Sequence, residues 1–110
     1  MTPRFHWVAL AGLLGLLGLA TACGHESGPA KVSIKSLAYN PASVDVTAGG
    51  KVVWSFDDGT PHTVTAEDNS FGSPPDGQTA GTFAFVFKKK GTFAYRCEFH
   101  PQMHGTVRVR

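Results

Sequence analysis

Four residues of this chain carry donor atoms suited to one metal ion: His62, and then Cys97, His100 and Met103 within the run CEFHPQMHG at 97–105. The last three follow the spacing C-x2-H-x2-M, which keeps them close without needing a helix. Two imidazoles and a thiolate form a trigonal set, with a thioether as a weak axial fourth donor. This is the ligand combination of copper sites that transfer electrons. Thiolate and thioether suit Cu(I) and imidazole holds Cu(II) as well, so the mixed set serves both oxidation states. Zinc accepts similar donors, but structural zinc sites take more cysteines and do not recruit methionine.

Each residue has a plainer reading when taken singly. His62 beside Pro61 would be a surface histidine, Met103 core filler, and His100 ahead of Pro101 a loop residue. The cysteines decide the weighting, because the chain has only Cys23 and Cys97. Spacing leaves open a disulfide between them or an inert buried thiol at 97, yet neither accounts for His100 and Met103. His104 has no partner in the pattern and reads as an exposed polar residue.

The elements that position these residues must fit in 110 residues, room for one domain. Residues 1–22 read as a signal peptide: Arg4 is followed by an apolar run that is uncharged from Val8 to Ala22 and too short for a comfortable membrane span. LATAC resembles a bacterial lipobox, with Ala20 where leucine is commoner and Cys23 as the lipidated first mature residue. Ordinary cleavage after Ala22 is the rival. Residues 23–30 then form a flexible tether and 31–110 the domain, small enough that a metal could help hold it. Export places the chain on the periplasmic or cell-envelope side, in an oxidising compartment. Ten Lys and Arg against eight Asp and Glu give a net charge of +2. Without a basic stripe this excludes a nucleic-acid partner. Membrane contact is expected only through the lipid anchor at Cys23, and the chain is expected to be a monomer.

From residue 31 onward the chain reads as strands, with no sustained helical period. KVSIKSL (31–37) and SVDV (43–46) alternate, and the glycines at 49 and 50 signal a turn. Val52, Trp54 and Phe56 share one face; so do Phe83, Phe85 and Phe87, then Phe93, Tyr95 and Cys97, and finally Val107 and Val109. HTVTAE puts His62, Val64 and Ala66 inward and Thr63 and Thr65 outward. Residues 67–81 read as a surface loop with Phe71 tucked back. The fold class is all-β, an antiparallel sandwich or barrel. An inward Cys97 at one strand's end and an inward His62 at another's start would meet at one pole.

The stretches AYNPASVDVTAGGKVVWSFDDGTPHTVT and GTFAFVFKKKGTFAYRCEFHPQMHGTVRV, with the ligand pattern, resemble the cupredoxins, small blue copper proteins of the plastocyanin and amicyanin group. The likeness covers about residues 31–110, and the short ligand loop is most similar to that of amicyanin. The resemblance implies a Greek-key β-sandwich and one copper ion held by His62, Cys97, His100 and Met103. It also implies a one-electron carrier, not an enzyme, that serves transient redox protein partners. His100 would be the electron port, within an apolar patch containing Phe99, Pro101 and Gln102. A copper carrier or metallochaperone is the alternative function for the same residues. Lys88, Lys89 and Lys90 would steer an acidic partner or simply form a solvated turn. Where many relatives have asparagine, two positions after the tryptophan, this chain has Phe56. A hydrogen bond near the cysteine sulfur is therefore expected to be missing.

Overall fold

The alternation in KVVWSF becomes strand β4, Gly50–Phe56, whose Val52, Trp54 and Phe56 are buried in a computed structural model that describes residues 28–110. The signal segment 1–22, Cys23 and the first part of the tether lie outside the described residues. The other strands are β1 (Ala30–Lys35), β2 (Ala38–Asn40), β3 (Ser43–Val46), β5 (Thr65–Ala66), β6 (Thr82–Phe87), β7 (Gly91–Arg96) and β8 (His104–Val109). They form two four-stranded sheets, ordered β2-β1-β4-β6 and β3-β8-β7-β5, stacked as a Greek-key sandwich.

The all-β expectation holds, and the purely antiparallel one does not. β1 pairs with β4 in parallel, from Ala30 opposite Val52 to Ile34 opposite Phe56, and β3 pairs with β8 in parallel. The cause is the route of the chain. After the β1–β2 hairpin it crosses to the second sheet for β3, then returns to lay β4 beside β1. Alternating side chains mark which face is inward and carry no information on strand direction, so this feature was not readable from the pattern.

Between the sheets the core is aromatic. Trp54 is fully buried, and its ring centroid lies 5.4 Å from Tyr95, 5.5 Å from Phe83 and 6.0 Å from Phe71. Phe71 stacks on Phe85 at 5.1 Å and meets Phe87 edge-on at 5.0 Å. The expected inward turn of Phe71 is thus observed, and it ties the 67–81 segment to the sandwich. Gly105 on β8 lies directly under the Tyr95 ring, where a Cβ would collide with the phenol. Tyr95 in turn packs edge-on against Tyr39, at 4.6 Å. The β7–β8 pairing, Tyr95 opposite Gly105 and Arg96 opposite His104, carries β7 up to Cys97 and brings β8 back from the same end.

The two buried tyrosines differ in their hydroxyls. Tyr39 donates a 2.6 Å hydrogen bond to the Thr63 carbonyl, whereas the Tyr95 hydroxyl is buried without a partner among the described residues. Tyr39→Phe should therefore cost about 1 kcal/mol, and Tyr95→Phe should be neutral or mildly stabilising, in urea unfolding at neutral pH. Burial also pushes the Tyr95 phenol up from 10.0 to about 12, and burial raises Tyr39 further in the same direction. The unfolded chain ionises first, so stability present below pH 10.0 falls as pH rises toward about 12. That fall should be shallower in Tyr95→Phe; an unchanged alkaline limb would show that the buried phenol does not control it.

Candidate metal centre

His62 leaves the sheets altogether. After β4 the chain turns through Asp57–Pro61, and His62 pairs with Gln78 by two backbone bonds, His62 N–H to the Gln78 carbonyl at 3.0 Å and the reverse at 2.9 Å. A second clamp follows at once: Ser73 N–H donates to the Val64 carbonyl, and Val64 N–H donates to Ser73 Oγ, both at 2.8 Å. The segment 67–81 is therefore more than a surface loop, because it fixes the backbone that presents His62. The ring itself is fully buried.

Cys97 follows β7 directly and is buried with its side chain inward, as the alternation predicted. The loop after it closes on itself: Met103 N–H donates to the His100 carbonyl at 2.9 Å, and Cys97 N–H to the Met103 carbonyl at 3.2 Å. Met103 is buried, while His100 keeps partial exposure. His104 is exposed at the start of β8, as read from sequence.

The donor atoms of His62, Cys97 and His100 all lie within 4.8 Å of one another. Cys97 Sγ is 3.9 Å from His62 Nδ1 and 3.5 Å from His100 Nδ1. A trigonal ion about 2.0 Å from nitrogen and 2.3 Å from sulfur would separate those donors by roughly 3.8 Å. The pocket is thus preformed for one small metal ion. The donor set, a thiolate with two imidazoles and a buried thioether in the same loop, fits copper better than zinc.

Two residues around the donors were not singled out by sequence reasoning. Thr63 was expected to face outward, but it is fully buried. The strand breaks between His62 and Thr65, so alternation fails at this position. Its N–H donates to Cys97 Sγ at 3.4 Å, and its Oγ1 accepts from Glu98 N–H at 2.9 Å while sharing a hydrogen bond with Thr65 Oγ1 at 2.9 Å. The hydrogen bond to sulfur expected to be missing because of Phe56 is therefore present, supplied by Thr63; Phe56 is buried at the end of β4. The other residue is Asp58, whose carboxylate lies 3.0 and 3.1 Å from His62 Nε2 through its two oxygens. The available signal for both was proximity in sequence to His62.

The surface beside His100 carries one large exposed apolar side chain. Phe99 is 45% exposed, and its ring covers Gly77, which has φ +91°, close to Pro61. Pro101 and Gln102 are exposed next to it. Lys88, Lys89 and Lys90 are exposed in the β6–β7 turn, a full strand length away from Cys97, roughly 20 Å for six residues. They occupy the opposite pole. Nearer the site, Arg96 bonds both Glu67 at 2.9 Å and Glu98 at 3.2 Å.

Residues 7–109 match the family described as cupredoxin-like domain. Plastocyanin from Scenedesmus fuscus is 26% identical over 87 residues, spanning 68% of this chain and 89% of the plastocyanin. Among solved structures, a purple cupredoxin from Nitrosopumilus maritimus superposes with a TM-score of 0.67 at 29% identity. That match covers 74% of this chain and 99% of the other. An amicyanin variant in its reduced state superposes with a TM-score of 0.61 at 27% identity, covering 76% of this chain and 83% of that one.

Thr63→Val tests the brace. It keeps the side-chain shape and the backbone N–H to Cys97 Sγ but removes the acceptor for Glu98 N–H. The loss should be about 1 kcal/mol, a fall in the metal-free melting temperature of roughly 4–8 °C for a domain this size. The wild-type melting temperature in Thr63→Val would show that the hydroxyl does not hold the loop.

Proposed function

The chain belongs to the cupredoxin-like family and its cofactor is copper; on that premise we propose that it is an exported one-electron carrier between redox proteins. His62, Cys97, His100 and Met103 would hold the copper, two imidazoles, a thiolate and a thioether that suit both of its oxidation states. The observation that carries this reading is the preformed, buried donor set, with Cys97 2%, His62 0% and Met103 1% exposed. A site built to hand its metal on would expose its ligands; this one exposes only part of His100. The copper carrier is therefore the weaker reading.

Copper, when bound, supplies a one-electron couple between Cu(I) and Cu(II). The chain's own residues do the rest. Thr63 N–H holds the Cys97 sulfur in place and withdraws charge from it, and the Gln78 pairing keeps His62 from following changes at the metal. Small rearrangement between oxidation states keeps the barrier to transfer low. His100 connects the interior to solvent through the patch of Phe99, Pro101 and Gln102, and a small apolar face suits short-lived encounters. At the other end of the chain, Cys23 is the lipid attachment point and the following residues are the tether that gives the domain reach on the envelope side.

Two experiments address the two parts. The Cu(II) protein should be intensely coloured through thiolate-to-copper charge transfer, and Cys97→Ser should lack the band. A colourless Cu(II) complex of the wild type, or a band that survives in Cys97→Ser, would remove the assignment. For the anchor, wild-type protein should stay with membranes through a sodium-carbonate wash, while Cys23→Ala is released or left unprocessed. Mature wild-type protein with an unmodified N-terminus would mean ordinary signal-peptide cleavage.

A further inference from the structure

Asp58 is placed where a residue can act on a metal through one of its ligands. A carboxylate only accepts hydrogen bonds, so its contact with His62 requires the proton to sit on Nε2. That leaves the Nδ1 lone pair free on the side of Cys97 Sγ. The ring is fully buried and the Asp58 side chain is only 18% exposed, so little water competes for either partner.

Asp58 is itself held. Its Oδ1 accepts from Thr60 N–H at 3.0 Å, within the turn that leads to His62. That bond fixes the carboxylate within the turn, with both oxygens at hydrogen-bond distance from the ring nitrogen. Asp57, its neighbour, is occupied elsewhere by Ser33 and Ser55 hydroxyls, which leaves Asp58 as the carboxylate facing the ring.

We propose that Asp58 is a positioning and tuning residue: it locks His62 in the Nε2–H tautomer and, as a fixed negative charge behind the ring, favours Cu(II) over Cu(I). The first effect follows from hydrogen-bond polarity. The second follows because an imidazole that donates to a carboxylate is a stronger base toward its metal, and the stronger donor stabilises the more highly charged ion more. This rests on the copper reading for its second half only; the tautomer is a property of the metal-free protein.

The test compares wild type, Asp58→Asn and Asp58→Glu. Asparagine keeps Oδ1 for Thr60 N–H, so the turn is preserved, but it is neutral and replaces Oδ2, 3.1 Å from the ring nitrogen, with an amide N–H2 that competes for the ring as a donor. Nitrogen-15 NMR of the metal-free protein, at a pH where the ring is neutral, should show His62 as Nε2–H in wild type and as a mixture in Asp58→Asn. Binding titrations should show Asp58→Asn weakening Cu(II) about tenfold more than Cu(I), within the range for residues that support a metal ligand. A tenfold change in that ratio raises a one-electron potential by about 59 mV. Asp58→Glu should restore most of the shift. An unchanged tautomer in Asp58→Asn overturns the positioning role. An unchanged ratio in a variant that still binds copper and shows the thiolate band overturns the tuning role and leaves the copper assignment standing. Absence of copper binding in wild type would instead remove the copper assignment and the tuning role together, with the NMR result still deciding the tautomer.

Discussion

Everything at the metal centre depends on holding two buried segments, 35 residues apart in sequence, against each other with no covalent link between them. Thr63 is the join. Its backbone reaches Cys97 Sγ and its side chain reaches the N–H of Glu98, so one residue grips both the ligand and the loop that follows it. A buried N–H without a partner costs on the order of 1–3 kcal/mol. The Thr63 N–H contact therefore satisfies a buried donor, and the Glu98 contact, partly buried, holds the start of the ligand loop against the same residue.

The sandwich sets the distance across which Thr63 must reach. Trp54 on β4 and Tyr95 on β7 meet edge to face at 5.4 Å, fixing the two sheets one ring apart just below the site. Gly105 lets Tyr95 lie flat on β8, and Tyr39 crosses from the first sheet to hold the Thr63 carbonyl. The peptides on both sides of Thr63 are thus occupied, one by Tyr39 and the other by Cys97. Interiors this closely packed resist small shifts, which is the property an electron-transfer site needs, since each change of oxidation state would otherwise drag the ligands with it.

The convergence of His62, Cys97 and His100, the burial of Met103, the inward faces of β4, β7 and β8, and the tucked Phe71 were legible because each rests on residue type or on alternation within a continuous strand. What was not legible at the site has one main physical cause. Between His62 and Thr65 the chain is neither strand nor simple turn, and its conformation is dictated by partners distant in sequence: Gln78, Ser73 and Glu98. Parity assigned Thr63 to the outside, where a regular strand would have put it. The role of Phe56 was misjudged for a related reason, since the hydrogen bond to sulfur comes from a backbone N–H, and any residue but proline supplies one. Likewise β2, three residues long, and the two parallel pairings leave no mark in a hydrophobic pattern.

The two poles of the sandwich have opposite characters, and this bears on how a partner would approach. At one end, Phe99 lies over Gly77 beside the partly exposed His100, and Arg96 is shared between Glu67 and Glu98, which leaves one carboxylate charge unbalanced. At the other end stand three adjacent lysines. Over roughly 20 Å, twice the screening length of about 10 Å at moderate ionic strength, those lysines contribute little attraction at the His100 face. A partner drawn to them would dock far from the donor set, and through-protein distance would slow any transfer. The His100 face is therefore the shorter route to the donor set, and the lysine turn, at the far end of β7, lies too far away to act on it.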